Sequence, residues 1–443
     1  MNAKSPGFWT GGRVALCIVV LAVLLRMAAM VALGTVTHPV CFESVRIACN
    51  VLEGKGFVFN YAYLSNELLA TSYMAPVYVY LLVPFLALGS ALGSALVSSV
   101  SIQFMHALLA GVTSLLLVRL GTRAFDRRVG LLAGALYAIF PPAVVMGTRV
   151  HEINLTVPLI VWLVYEIMKT RTDGSWRQAL RLGGAMGLCL LAEPSYGIFC
   201  AVALVFLLAG AHFPPKERFR QLLLSVLVSG LVLTPWLARN WVVHKNFVFV
   251  KSVAGLNMWI GNNPQATGSD RLALTSSGEV DRRYITMAMD PVLERKVCEA
   301  HTEIEKDRIL GSAAADFIRG HPGQALRLAF RKAVLLWWRD PLHPLGREVV
   351  YQTCELALFL AGLAGLVLGL CRREPFCILA TWLMGCQTAV YMVFFVLPRY
   401  RMLQDPFLMV AMAFLVIRIF DNRFIKAGPD RAFGLRSRQQ RAA

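Results

Sequence analysis

The chain has 443 residues, 57% of them apolar and 16% charged, with a mean hydropathy of +0.59 and a formal net charge of +18. A soluble domain carries about a quarter charged residues, so the composition excludes one and indicates a polytopic membrane protein. The positive charge does not mark a nucleic-acid partner. It gathers in short loops, "RLGTRAFDRR" (119–128), "KTRTDGSWRQALR" (169–181), "KERFR" (216–220) and "CRRE" (371–374), the distribution of cytoplasmic loops.

Residues 14–36, "VALCIVVLAVLLRMAAMVALGTV", carry Arg26 as their one charge and are long enough to cross roughly 30 Å of hydrocarbon. A signal peptide has a shorter apolar core and a small-residue cleavage site, so the segment reads as a retained helix with its N-terminus inside. Loop one, 37–97, then lies outside. Its apolar stretch "APVYVYLLVPFLALG" (75–89) is short and proline-bearing. If it spanned, the basic loop at 119–128 would face outward, so an interfacial or re-entrant helix is expected. Further spans follow at 98–118, 129–146, 154–168, 182–192, 196–212 and 221–237.

Residues 239–349 mix both charge signs with Gly, Asn and Pro and read as a small outer-face domain. Its later part, 322–339, spaces apolar residues helically against Arg327, Arg331 and Lys332, as an amphipathic helix on a membrane does. Spans at 350–370, 376–396 and 404–420 return the chain to the cytoplasm. The expected fold is an all-α polytopic membrane protein with about ten transmembrane helices and interfacial helices in the first outer loop. Its parts are an N-terminal transmembrane module (1–238) that includes loop one, the outer-face domain (239–349), C-terminal helices (350–420) and a basic tail (421–443).

On this map the outer helix ends collect charge: Glu43 and Arg46 in loop one, Arg149, His151 and Glu152 in the next outer loop, then Glu193, Arg239, Arg399 and Arg401. Each has an ordinary reading. Arg399 and Arg401 could anchor to headgroups, Glu43 and Arg46 could form a helix-surface ion pair, His151 and Glu152 could solvate a loop, and Glu193-Pro194 could shape a turn. Shared depth is the stronger signal. Other motifs fail: "HEINL" (151–155) lacks the second His of a zincin, and "GKGF" (54–57) lacks the spacing of a P-loop. The ten cysteines show no zinc-site spacing, and no metal site is expected.

These residues sit in stretches that resemble the polytopic GT-C glycosyltransferases using polyprenyl-phosphate sugars, the branch related to bacterial protein O-mannosyltransferases and aminoarabinose transferases. "FESVRIACNVLEGKGF" (42–57) is similar to the family's first-loop motif, in which an acidic residue precedes "RIA". "TSYMAPVYVYLL" (71–82), "TRVHEINL" (148–155) and "LPRYRMLQDPFLMVAMAF" (397–414) resemble further motifs. "TPWLARNWVVHKNFVFVKSVAGLNMWIGNNPQATG" (234–268) is the most specific. The chain carries Met74-Ala75-Pro76 where the aminoarabinose transferase has a Lys-Pro-Pro element.

The resemblance implies an inverting transfer of a sugar from a polyprenyl-phosphate donor to a hydroxyl acceptor on a glycolipid, glycan or protein. The active site would lie on the periplasmic or extracytoplasmic face of the inner (plasma) membrane. Glu43 would be the catalytic base and Glu152 a second acid orienting donor or acceptor. Arg46, Arg149, His151, Arg239, Arg399 and Arg401 would bind the donor and its phosphate. The lipid-linked sugar would be a substrate, with no separate cofactor. A carboxylate suits removal of a hydroxyl proton, and guanidinium forks suit the growing charge of a leaving phosphate. The competing classes are a lipid flippase or secondary transporter, which would place charges near the midplane, and an O-antigen ligase or polymerase.

Overall fold

The computed structural model describes residues 8–60, 67–270, 289–343 and 346–421; the expected basic tail lies beyond them. The described chain is helical apart from a two-residue antiparallel ladder in loop one, Val58–Phe59 against Leu69–Ala70. In order, the first half runs α1 Phe8–Ala32, α2 Glu43–Leu52, α3 Pro76–Ala91, α4 Ala95–Ala124, α5 Arg127–Ile139, α6 Pro141–Gly147, α7 Ile153–Thr170, α8 Trp176–Ala192 and α9 Gly197–Gly210. The second half runs α10 Pro215–His244, α11 Ala254–Gly261, α12 Pro291–Glu299, α13 Glu303–Gly320, α14 Pro322–Trp337, α15 Val349–Cys371, α16 Pro375–Val393, α17 Pro398–Arg401 and α18 Asp405–Phe420.

Among the described residues six helices are long and apolar enough to cross a membrane, or seven if the bent pair α5 and α6 counts as one span. This is a multi-pass membrane protein. A helix stands at each of the ten expected spans, but α8, α9 and α18 are 17, 14 and 16 residues long. At 1.5 Å rise per residue they cover only about 21–25 Å. By length and composition, six or seven of the described helices qualify as spans. The segment expected at the interface, 75–89, is the 16-residue helix α3, which packs on α2 and α4.

Small residues bring the helices together, as in other membrane bundles. A Cβ on Gly121 of α4 would lie 2.8 Å from the Gly130 Cα of α5, and one on Gly365 of α15 would lie 2.0 Å from the Ala411 oxygen of α18. Leu223, Leu227 and Leu231 form an exposed stripe on α10, spaced as a lipid-facing ridge.

The isolated charge of the first span has a structural use. Pro141 and Pro142 break α5 from α6 with a 56° bend, which frees carbonyls at the end of α5. Arg26, fully buried, reaches across and donates to the oxygens of Ala138 at 2.7 Å and Tyr137 at 3.2 Å. A cation is favoured at a helix C-terminus.

The amphipathic helix expected at 322–339 is α14. Leu326, Phe330, Val334 and Trp338 are exposed along one side beside Arg327 and Arg331. Lys332, which the sequence groups with those arginines, is instead buried with Leu328, Leu335 and Leu336 and donates to Asn262 at 3.0 Å. Its four-residue offset from Leu328 places it on the inner side. A second small core, built by Val253, Leu256, Trp259, Leu310 and Ala314, joins α11 and α13 to Phe395 and Leu397.

Candidate functional site

Four separate stretches of chain meet at one end of the bundle. Loop one is tied to the α6–α7 connection by Val150 N–H donating to the Val40 oxygen at 2.9 Å, with Cys41 and Val150 bridged. Glu43, in the first turn of α2, thus comes beside residues 149–152. The Val396 N–H donates to the Gly268 oxygen at 3.0 Å, which anchors the approach to α17 and its Arg399. The Ser252 N–H donates to the Ser72 oxygen at 3.0 Å and brings in the strand of chain carrying Lys251.

Between these stretches lies a cavity of 1290 Å³. Six of the eight residues expected from the sequence line it: Glu43, Arg46, Arg149, His151, Glu152 and Arg399. Leu33, Val40, Val145 and Val350 add an apolar wall at the ends of α1, α6 and α15. A smaller chamber of 360 Å³ adjoins it. His151, Glu152, Lys251, Asn257, Arg399 and Tyr400 line both and form the junction. Beyond the junction the small chamber offers Glu193, Ser195 and the rings of Tyr391 and Phe394.

The electrostatics of the junction are unbalanced. Among the described residues neither Arg149 nor Arg399 has a hydrogen bond or ion pair to its guanidinium; Arg399 lies over the rings of Phe42 and Tyr400 at 5.8 Å. Burial and then the nearby charge of Arg399 hold the Arg149 guanidinium below its ordinary range. The Glu43 carboxylate likewise makes no hydrogen bond or ion pair to described residues. Glu152 accepts from the Ser44 hydroxyl at 3.5 Å. Lys251 stands 3.9 Å from Glu193, a loose pairing. Two neighbouring guanidiniums with no ion pair of their own leave room for an anion that takes both forks.

His151 is neutral. Burial, then Arg399, Lys251 and Arg149, push its imidazole well below the ordinary histidine value. Its Nδ1 accepts the Ile153 N–H at 3.1 Å, which leaves the proton on Nε2. The 3.4 Å approach of Nδ1 to the Glu152 carboxylate is therefore a contact without a shared proton. The ring is held edge-on to Phe42 at 4.7 Å.

The remaining two expected residues do not line either chamber, and both have internal partners. Arg239 donates to the Thr71 oxygen at 2.7 Å, the Ser72 hydroxyl at 3.0 Å and the Phe57 oxygen at 3.2 Å, clamping loop one onto α10. Arg401 is buried between Glu355 at 3.0 Å and Asp405 at 3.3 Å, and donates to the Trp337 oxygen at 2.9 Å. Two positions along a helix turn about 200°, so Arg399 faces the cavity while Arg401 faces the core. Lys251 and Asn257 did not stand out from the sequence. Their one signal is that they lie inside the 234–268 stretch. Lys251 supplies a cavity ammonium that the Met74-Ala75-Pro76 position does not. Among the described residues no group of three or more His, Cys, Asp or Glu could hold a metal ion.

Residues 74–238 match the family model described as dolichyl-phosphate-mannose-protein mannosyltransferase, somewhat over a third of the chain. No curated protein matches the sequence. Among solved structures the fold is similar to the archaeal oligosaccharyltransferase AglB from Archaeoglobus fulgidus in complex with an inhibitory peptide and a dolichol-phosphate. The TM-score is 0.53 at 14% identity, over 93% of this chain and 51% of that one. The same oligosaccharyltransferase in complex with Zn and sulfate gives 0.52 at 15% identity, over 91% and 49%. The chain thus spans about half the length of these structures. ArnT from Cupriavidus metallidurans bound to undecaprenyl phosphate matches with a TM-score of 0.41 at 14% identity, over 93% and 79%, too low to carry an argument. The chain has the fold of these oligosaccharyltransferase structures, the helical GT-C fold that the motifs led us to expect.

Proposed function

We propose that this GT-C-fold chain is an inverting glycosyltransferase, moving a sugar from a polyprenyl-phosphate donor to a hydroxyl acceptor at the outer face of the membrane. The observation that carries the reading is the cavity itself: Arg149 and Arg399, whose guanidiniums have no hydrogen bond or ion pair among the described residues, share one lining with the Glu43 carboxylate, likewise without one there, and with an apolar wall. Guanidiniums without an ion pair of their own suit a phosphate, the carboxylate suits a hydroxyl proton, and the apolar wall suits the first units of a lipid tail.

The residues divide the reaction as follows. An acceptor oxygen bonds to the anomeric carbon while Glu43 takes its proton. The bond from that carbon to the phosphate oxygen breaks with its electron pair going to the phosphate. The leaving polyprenyl phosphate gains a negative charge, which Arg149, Arg399 and Lys251 stabilise where it develops. Glu43 then returns its proton to water. One base and one displacement invert the anomeric carbon, without the nucleophilic carboxylate of a retaining enzyme.

Attacking and leaving oxygens lie in line through the carbon, and the ring projects to one side. Both oxygens therefore belong in the large cavity and the ring in the small one, with Glu152 and Asn257 at the junction orienting it. Arg46, on the face of α2 that carries Glu43, borders the acceptor. Arg239 and Arg401 act as positioning residues, holding loop one and α17. The inner membrane is the proposed location, with the cavity on the extracytoplasmic side.

The test is transfer from a panel of radiolabelled polyprenyl-phosphate hexoses and pentoses to a membrane extract by the purified protein, with the anomeric configuration of the product read by NMR. Transfer with inversion is expected. Retention of configuration, or donor carried across a vesicle membrane without transfer, would overturn the reading.

A further inference from the structure

Three of the residues that line the cavities, Tyr73, Met74 and Lys251, stand on two irregular segments with no regular structure of their own to hold them, and a fourth, Asn257, stands on the short helix α11. Both segments are gripped from outside by one helix. Glu303, the first residue of α13 and 2% exposed, accepts from the hydroxyls of Thr71 and Ser252 in short contacts and from the Ser72 N–H at 2.8 Å. One carboxylate thereby ties the segment leading to Tyr73 to the segment carrying Lys251. Asp307, one turn later on the same face, accepts from Gly255 N–H at 2.9 Å and Leu256 N–H at 2.8 Å. Those are orphan amides at the start of α11, and α11 carries Asn257. The helices approach so closely that a Cβ on Gly255 would lie 1.9 Å from the backbone carbonyl oxygen of Asp307. A Thr302–Glu305 capping box fixes where α13 begins, and so where Glu303 falls.

We propose that α13 is a splint for the site and that Glu303 is a positioning residue setting Lys251 against the leaving phosphate. This rests on the function proposed above. A buried carboxylate is a costly way to join two segments if only packing were needed. Burial raises Glu303 from its ordinary value, and its three hydrogen bonds pull it back toward the charged form. An aspartate is one methylene too short to reach both segments. A glutamine reaches both, and the two hydroxyls can rotate to suit it, but only one of its terminal atoms accepts.

The experiment is a double-mutant cycle in the full-length protein, reading kcat and KM for a polyprenyl-phosphate hexose. Glu303→Asp is expected to lower kcat/KM about tenfold or more, with Glu303→Gln retaining most of it. In a Lys251→Ala background the same Glu303→Asp change should have little further effect, because its route runs through Lys251. Equal losses in both backgrounds, or full activity of Glu303→Asp, would overturn the inference. Asp307→Asn provides a second entry should Glu303→Asp fail to fold: it too should cost less activity once Asn257 is alanine, and additivity there would overturn the splint. Wild-type protein that neither transfers the hexose nor binds bare polyprenyl phosphate would overturn the proposed function, and this inference with it.

Discussion

Removing Arg399 should move stability and ligand binding in opposite directions. In the ligand-free protein its guanidinium lies beside that of Arg149, and neither has a hydrogen bond or ion pair among the described residues. Both are partly exposed, so the repulsion is screened, and its relief is worth about 1 kcal/mol at most. A phosphate held by the pair would lose a charge-assisted, two-pronged contact worth about 2–3 kcal/mol, or about 30- to 150-fold in affinity. Arg399→Gln should therefore melt at the same temperature or slightly higher, while its affinity for bare polyprenyl phosphate falls by that factor. Arg399→Lys, which keeps the charge but not the fork, should fall between. Melting curves and calorimetric titration in one lipid nanodisc preparation read both quantities. A variant that loses stability and keeps affinity would refute the reasoning, since Arg399 would then be an ordinary structural cation.

Arg401→Ala should fail differently, because it strands Glu355 and Asp405 in the core; a loss of about 3–5 kcal/mol is expected, seen as a large fall in melting temperature. Arg26→Leu leaves the Ala138 and Tyr137 oxygens without their donor and should cost about 2–4 kcal/mol, checked the same way. His151 gives a pH signature. Its folded-state value lies below the unfolded one, so the unfolded chain binds the extra proton first. Stability is then unaffected above about pH 6.5 and falls as the pH drops below it. Melting curves at pH 7.5 and pH 5 should show that slope in the wild type and a shallower one in His151→Asn.

Much of the scaffold was legible because lipid imposes simple rules on sequence. Apolar length and the side on which arginines gather located a helix at each expected span, and orientation alone put Glu43, Glu152, Arg149 and Arg399 at one depth. What sequence did not carry was rotation and reach. Arg399 and Arg401 are equal in charge and depth, and only the phase of a four-residue helix sends one to the cavity and the other to the core. Arg239 shares that depth, yet its donors are taken by loop-one carbonyls. Lys251 and Glu303 lie 52 residues apart by numbering and meet through Ser252, a pairing that no local periodicity announces. Glu355 and Asp405 escaped notice because each sits in an apolar run and finds its partner, Arg401, only in three dimensions.

The central claim is that Glu43 removes the acceptor's proton while the arginines hold the phosphate. Its most direct test compares wild type with Glu43→Gln for two quantities at once, sugar transfer from a labelled polyprenyl-phosphate donor and equilibrium binding of that donor. The account predicts that transfer falls by at least about a hundredfold while binding changes less than about threefold. Transfer that survives in Glu43→Gln would contradict it and assign the base to another side chain, with Glu152, a carboxylate of the same cavity, the next to test.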